Sequence, residues 1–197
     1  MAALVLIACL CSSMSAAAGG GVYVLTKSPS GQYVKVTATE AVFSGDQQDC
    51  GSRECNDDDK NRIINLSELE VLDATGENIA KDRPVTGSSE WPETHLWPKL
   101  TDGVIAADNF AHTMGRTPEE VDFMTIDLGE VKEIKTIKIH NRTSCCGVRA
   151  IGLKVQILDA ESNVVKETPV ITTDEKEYTY TFKGMGSGEW QTVPHDE

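Results

Sequence analysis

From Tyr33 onward the chain alternates apolar and polar side chains in short runs. The clearest runs cover residues 33–38, 64–72, 123–128, 134–140, 152–158 and 178–182, as in Ile134-Lys135-Thr136-Ile137-Lys138-Ile139-His140. Successive side chains of an extended strand point to opposite faces, so a period of two buries one face and leaves the other in water. Between the runs lie clusters of Asp, Asn, Gly, Ser and Thr at 73–78, 159–163 and 172–175, residue types that favour chain reversal. No long stretch has helical periodicity. One short helix is predicted at 117–120, where Thr117 can cap and Pro118 suits the first turn. Short strands at this spacing predict an all-β fold, an antiparallel β-sandwich of jelly-roll type.

Residues 1–26 carry no charged side chain. A cleaved signal peptide fits the short apolar core and the small residues after it. A retained membrane anchor fits the total length, because about 20 residues span a bilayer, and the anchor is the favoured reading. The expected organisation is therefore a hydrophobic anchor or signal segment at 1–26, one β-sandwich at 27–183 and a Gly-rich tail at 184–197. The sandwich is expected outside the reducing cytosol, either extracytoplasmic or secreted, or inside a particle.

Charge narrows the partners. The 197 residues carry a formal net charge of -13. Nucleic acid and anionic lipid are poor partners for such a chain, since phosphate binding needs clustered cations. The run Asp57-Asp58-Asp59 lacks the glycine and distal glutamate of a calcium loop and reads as a solvated loop.

The six cysteines fall in three close pairs: Cys9 with Cys11, Cys50 with Cys55, and Cys145 with Cys146. Cys50 and Cys55 can close a small loop in an oxidising compartment or stay as free thiols. Cys145 and Cys146 sit in Asn141-Arg142-Thr143-Ser144-Cys145-Cys146-Gly147-Val148-Arg149, directly after an alternating run. Neighbouring Cα atoms are about 3.8 Å apart, below the usual disulfide window of roughly 4.4–6.8 Å, so a bond between them closes a tight ring. Bonded, the pair forms a rigid apolar sulfur surface. Unbonded, the two thiols point to opposite faces of a strand. Arg142 and Arg149 offer planar donor forks to hydroxyl or carboxylate oxygens. A flat apolar patch between fixed donors suits a sugar ring.

Ala111-His112-Thr113, Phe123-Met124-Thr125-Ile126-Asp127-Leu128-Gly129 and the Asn141-Arg142-x-x-Cys145-Cys146-x-x-Arg149 segment resemble the F-type lectins of the discoidin-like, galactose-binding-like jelly-roll superfamily. Leu100-Thr101-Asp102-Gly103 is similar to that superfamily's aspartate-glycine loop. The resemblance implies a ligand site of His112, Arg142, Ser144, Cys145, Cys146 and Arg149, with a vicinal disulfide packing on the sugar. Ser144 stands where the family has an aspartate, so the carboxylate that would orient the arginine is absent. The resemblance also implies a structural Ca2+ held by Asp102 and Glu68, with Ser67 in place of a cysteine and Val104 where a side-chain oxygen would help.

The four histidines, His95, His112, His140 and His195, occur without HExxH, and no GxSxG or P-loop spacing is present. A non-enzymatic binding module is therefore expected, tethered or secreted, with a glycan or glycoprotein as partner. His112, in a loop beside Asn109, is the better ligand candidate, while His140 reads as an exposed strand residue. The sequons Asn65-Leu66-Ser67 and Asn141-Arg142-Thr143 read as chance matches. Trp91, Trp97 and Trp190 either anchor protein contacts or cover the barrel ends. The alternative function comes from a second resemblance, to small proteins of large DNA viruses of algae and protists. It implies a minor capsid or virion role, with capsid proteins and an internal membrane as partners.

Overall fold

The computed structural model describes residues 27–39, 63–88, 90–91, 94–114, 121–183 and 189–192. Ten strands follow in chain order: β1 (Ser30–Ala38), β2 (Asn65–Leu72), β3 (Val85–Gly87), β4 (Ala111–His112), β5 (Phe123–Glu133), β6 (Thr136–Asn141), β7 (Leu153–Leu158), β8 (Val164–Glu167), β9 (Glu177–Phe182) and β10 (Trp190–Thr192). They form two five-stranded sheets, ordered β3-β5-β1-β7-β8 and β10-β9-β6-β2-β4. Every pairing is antiparallel. The described residues contain no α-helix, only two 3-10 turns at Trp97–Leu100 and Gly147–Ala150. The all-β sandwich expected from the alternation is the fold observed.

The alternation works as the period of two requires. Val34, Val36 and Ala38 of β1, Met124, Ile126 and Leu128 of β5, and Leu153, Val155 and Ile157 of β7 line the inner face of the first sheet. Leu66, Leu69 and Val71 of β2, Ile137 and Ile139 of β6, and Tyr178, Tyr180 and Phe182 of β9 close the core from the second. Burying each such Leu, Ile or Phe contributes roughly 1.5–3 kcal/mol. Outward residues pair across strands, as where the Thr136 and Thr181 hydroxyls meet at 3.2 Å. The predicted turns form as their residue types suggest. Asp73 Oδ1 accepts from the Thr75 and Glu77 N–H groups, and Asp159 Oδ1 does the same for Glu161 and Asn163.

One irregularity positions chemistry. Between Leu66 and Glu68 the β2–β6 register shifts, the signature of a bulge. Leu66 and Leu69, three apart, thereby both reach the core. Ser67 and Glu68 are left side by side under the chain that runs from Asp102 to Asn109.

Other expectations fare differently. His140, expected to be exposed, is 6% exposed, because Glu70 Oε2 meets its Nε2 at 2.8 Å and Glu177 Oε2 meets its Nδ1 at 3.3 Å. Three polar groups that satisfy one another can be packed where a lone imidazole could not. Trp190, in the segment read as a Gly-rich tail, pairs with Phe182 in register and is buried against it. Asn65 and Asn141 are both buried, as suits chance sequons. The hydrophobic segment 1–26, the Cys50/Cys55 pair, the acidic run 57–59 and the short helix at 117–120 lie outside the described residues. Among the described residues, no helix is long and apolar enough to cross a membrane.

Candidate functional site

The segment between β6 and β7 crosses from one sheet to the other, and Asn141 fixes its path. Its Nδ2 donates to the carbonyls of Gly147 at 2.9 Å and Glu175 at 3.0 Å, while its Oδ1 accepts from the Arg142 N–H at 2.9 Å. Within this loop Cys145 and Cys146 are joined by a disulfide, their Cα atoms 3.8 Å apart. Cys146 takes the left-handed conformation at φ 62° and leads into the 3-10 turn that carries Arg149. Cys145 is exposed and Cys146 half-buried, so the sulfur surface faces solvent at the loop.

Arg142 lies flat on Phe110, its guanidinium carbon 3.9 Å from the ring centroid. Its Nε donates to Ser144 Oγ at 2.8 Å. The hydroxyl thus orients the arginine in the place where a carboxylate was missing from the sequence, but it brings no charge. Partial burial lowers the guanidinium pKa, and the field of Asp108 opposes that shift.

His112 ends β4 and is buried. Burial pushes its imidazole down to about 4, with the Thr113 carbonyl opposing and the charges of Arg149 and Arg142 adding. The ring is therefore neutral at pH 7. Nδ1 faces the Thr113 carbonyl and carries the hydrogen, so Nε2 accepts from Arg149 Nη1 at 3.4 Å. A neutral histidine that spends its lone pair on an arginine works by aiming that arginine.

Aromatic rings complete the wall. His95 stacks on Phe110 at 3.9 Å, and Trp91 tilts toward His112 at 5.0 Å between centroids. Trp91 is 41% exposed, its ring beside that of His112. The structure thus brings together His112, Arg142, Ser144, Cys145, Cys146 and Arg149 and adds Trp91, His95 and Phe110. Phe110 had a signal in the sequence, since it lies two residues before His112 and so on the same side of an extended chain. His95 had none, because it arrives through the Trp91–His95 bridge and the bond from the His112 N–H to the His95 carbonyl.

Asp102 and Glu68 form a separate cluster under the Asp102–Asn109 chain. Glu68 is fully buried. Its Oε2 accepts from the Gly103 N–H at 3.2 Å, while Oε1 has no hydrogen-bond partner. Burial pushes the carboxyl up to about 8, opposed by the Gly103 N–H and reinforced by the charge of Asp102. Both Asp102 oxygens lie 3.0 Å from Asn109 Nδ2, and the Val104 carbonyl lies 2.9 Å from the same nitrogen. The Asp102 oxygens and the Val104 carbonyl are thus taken by one amide nitrogen, and Glu68 Oε1 is the oxygen left without a partner; oxygen donors are what a hard cation takes. The described residues hold no group of three or more His, Cys, Asp or Glu side chains that could hold a metal ion. Glu68 and Asp102 are the residues that would hold a hard cation here, with the Val104 carbonyl as a further oxygen.

A cleft of about 490 Å³ lies on the outer face of the other sheet, lined by Tyr33, Lys35, Thr125, Asp127 and Gln156 among others, and shares no residue with either cluster.

Two antiparallel sheets with cationic, aromatic and sulfur groups collected on their loops form a β-sandwich consistent with a discoidin-like fold. Residues 99–190 match the family model described as a NedA-like, galactose-binding domain. The match spans β4 to β9 with Asp102, His112, Arg142, both loop cysteines and Arg149. A domain of this kind points to carbohydrate binding, and such domains are typically non-catalytic. Comparison with curated proteins and with solved structures gives no match.

Proposed function

We propose that the protein is a non-enzymatic glycan-binding module whose ligand lies on the shelf formed by Arg142, Arg149 and the Cys145–Cys146 disulfide. The observation that carries this reading is the convergence itself. Two guanidiniums, each in contact with a neutral side chain, flank an apolar disulfide in the chain, and a partly exposed tryptophan packs against His112. Planar donors address vicinal hydroxyls, while apolar sulfur and aromatic surface cover the less polar face of a sugar ring. His112 and Ser144 act as positioning residues. Calcium, when bound by Glu68 and Asp102, would tie β2 to the chain that leads into Phe110 and His112.

The apolar segment 1–26 would hold the module at a membrane, with the sandwich on the extracytoplasmic side. No observation among the described residues favours the capsid role over this one.

The test is binding of the full-length protein to a broad glycan panel in calcium, with Arg142→Ala in parallel. Binding to a defined glycan class, weakened at least tenfold by the substitution, is the expected outcome. A panel on which nothing binds, or on which Arg142→Ala binds like the wild type, contradicts the site.

A further inference from the structure

We propose that this shelf prefers an acidic sugar, one bearing a carboxylate or a sulfate ester, over its neutral counterpart; the inference rests on the glycan-binding reading of the same site. Arg142 is the residue that sets this preference. Its side chain has one hydrogen-bond partner among the described residues, the neutral hydroxyl of Ser144, and that bond uses Nε. The N–H groups of Nη1 and Nη2 have no protein acceptor there, and no carboxylate of the described residues lies within ion-pair distance. One flank of the guanidinium is already stacked on Phe110. A partly buried guanidinium gives up hydration, and a nearby anion restores what is lost. The free fork of Nη1 and Nη2 matches an oxyanion in two parallel bonds.

Arg149 adds a second positive charge to the same place. The group between it and the rest of the site, His112, is uncharged and accepts from it. Asp108 is the carboxylate whose field reaches Arg142, and it makes no ion pair with it. The charges of Arg142, which has a neutral partner, and of Arg149 thus both reach His112, on a chain whose net charge is -13. An arriving anion is attracted to both. Bonds from the guanidinium to a neutral hydroxyl are already charge-assisted, and an oxyanion adds ion pairing and the bidentate fork; a preference of about tenfold or more is expected, since tenfold requires only about 1.4 kcal/mol.

The experiment titrates the full-length protein, in calcium and at matched ionic strength, with galacturonate, galactose 6-sulfate and galactose. At least one acidic sugar should bind tenfold or more tighter than galactose, and which one does separates carboxylate from sulfate. Ser144→Asp, at an exposed position, places a carboxylate beside Arg142 and should bring the acid-to-neutral ratio close to one. Raising the salt concentration should weaken the acidic sugar more than the neutral one. Equal affinity for galactose and the acidic sugars overturns the preference and leaves the glycan-binding reading standing. A neutral glycan bound on the panel while both acidic sugars fail overturns it too. Failure of every sugar overturns both.

Discussion

Asn141 shows how one side chain can set a binding loop. Its amide donates to two carbonyls and accepts from the next N–H, joining the end of β6, the cysteine turn and the approach to β9. A Cβ on Gly147, the first residue of that turn, would meet the carboxylate of the exposed Asp174, which would have to swing away. Asn141→Ala should therefore leave the Gly147 and Glu175 carbonyls and the Arg142 N–H without their partner and cost on the order of 1–3 kcal/mol in urea unfolding; a loss within about 0.5 kcal/mol, typical of surface changes, would show that the loop holds itself. At this scale the sequence showed which residue types mattered and little of what they touch. Arg142 and Arg149 stood out by their chemistry, but how they are oriented depends on contacts with Ser144 and His112, and those contacts depend on loop geometry. The missing carboxylate at Ser144 looked like a defect in sequence. In the structure it leaves an oriented guanidinium with its charge unmatched.

At the scale of elements, the β2 bulge and β4 couple the two clusters. The bulge turns Ser67 and Glu68 together under the Asp102–Asn109 chain, and that chain runs straight into Phe110 and His112. Their titration should be visible in stability. His112 is held down from 6.5 to about 4, so the unfolded chain binds more protons in that window, and this contribution is lost as pH falls through it. The size is on the order of 3 kcal/mol. Glu68 is raised from 4.5 to about 8, so the folded chain binds more protons there, and its contribution is lost as pH rises through that window. Without calcium, the two oppose each other between 4.5 and 6.5, and Glu68 acts alone up to about 8. The urea midpoint should then fall from pH 6.5 to 8 and recover on adding calcium, which binds the ionised carboxylate. A midpoint at pH 8 that calcium leaves unchanged contradicts the calcium assignment. The long alternating strands were legible because their period of two survives into the core. The bulge was not, since it is a matter of register, and β3, β4, β8 and β10 are too short for periodicity to register.

For the whole molecule, the account joins a sandwich that any well-patterned β sequence can build to a site that depends on particular loops meeting at one end. The fold class followed from alternation and turn residues. The site followed from a rare cysteine pair between two arginines, and the aromatic wall of Trp91, His95 and Phe110 came into view only when distant segments were placed together. The most direct test is a crystal structure of the protein with the tightest-binding glycan of the panel. The account predicts a sugar ring over the Cys145–Cys146 disulfide, with its oxygens on the Arg142 and Arg149 guanidiniums and Trp91 alongside. A sugar seated instead in the cleft between Tyr33, Asp127 and Gln156, with the arginine shelf in water, would contradict it.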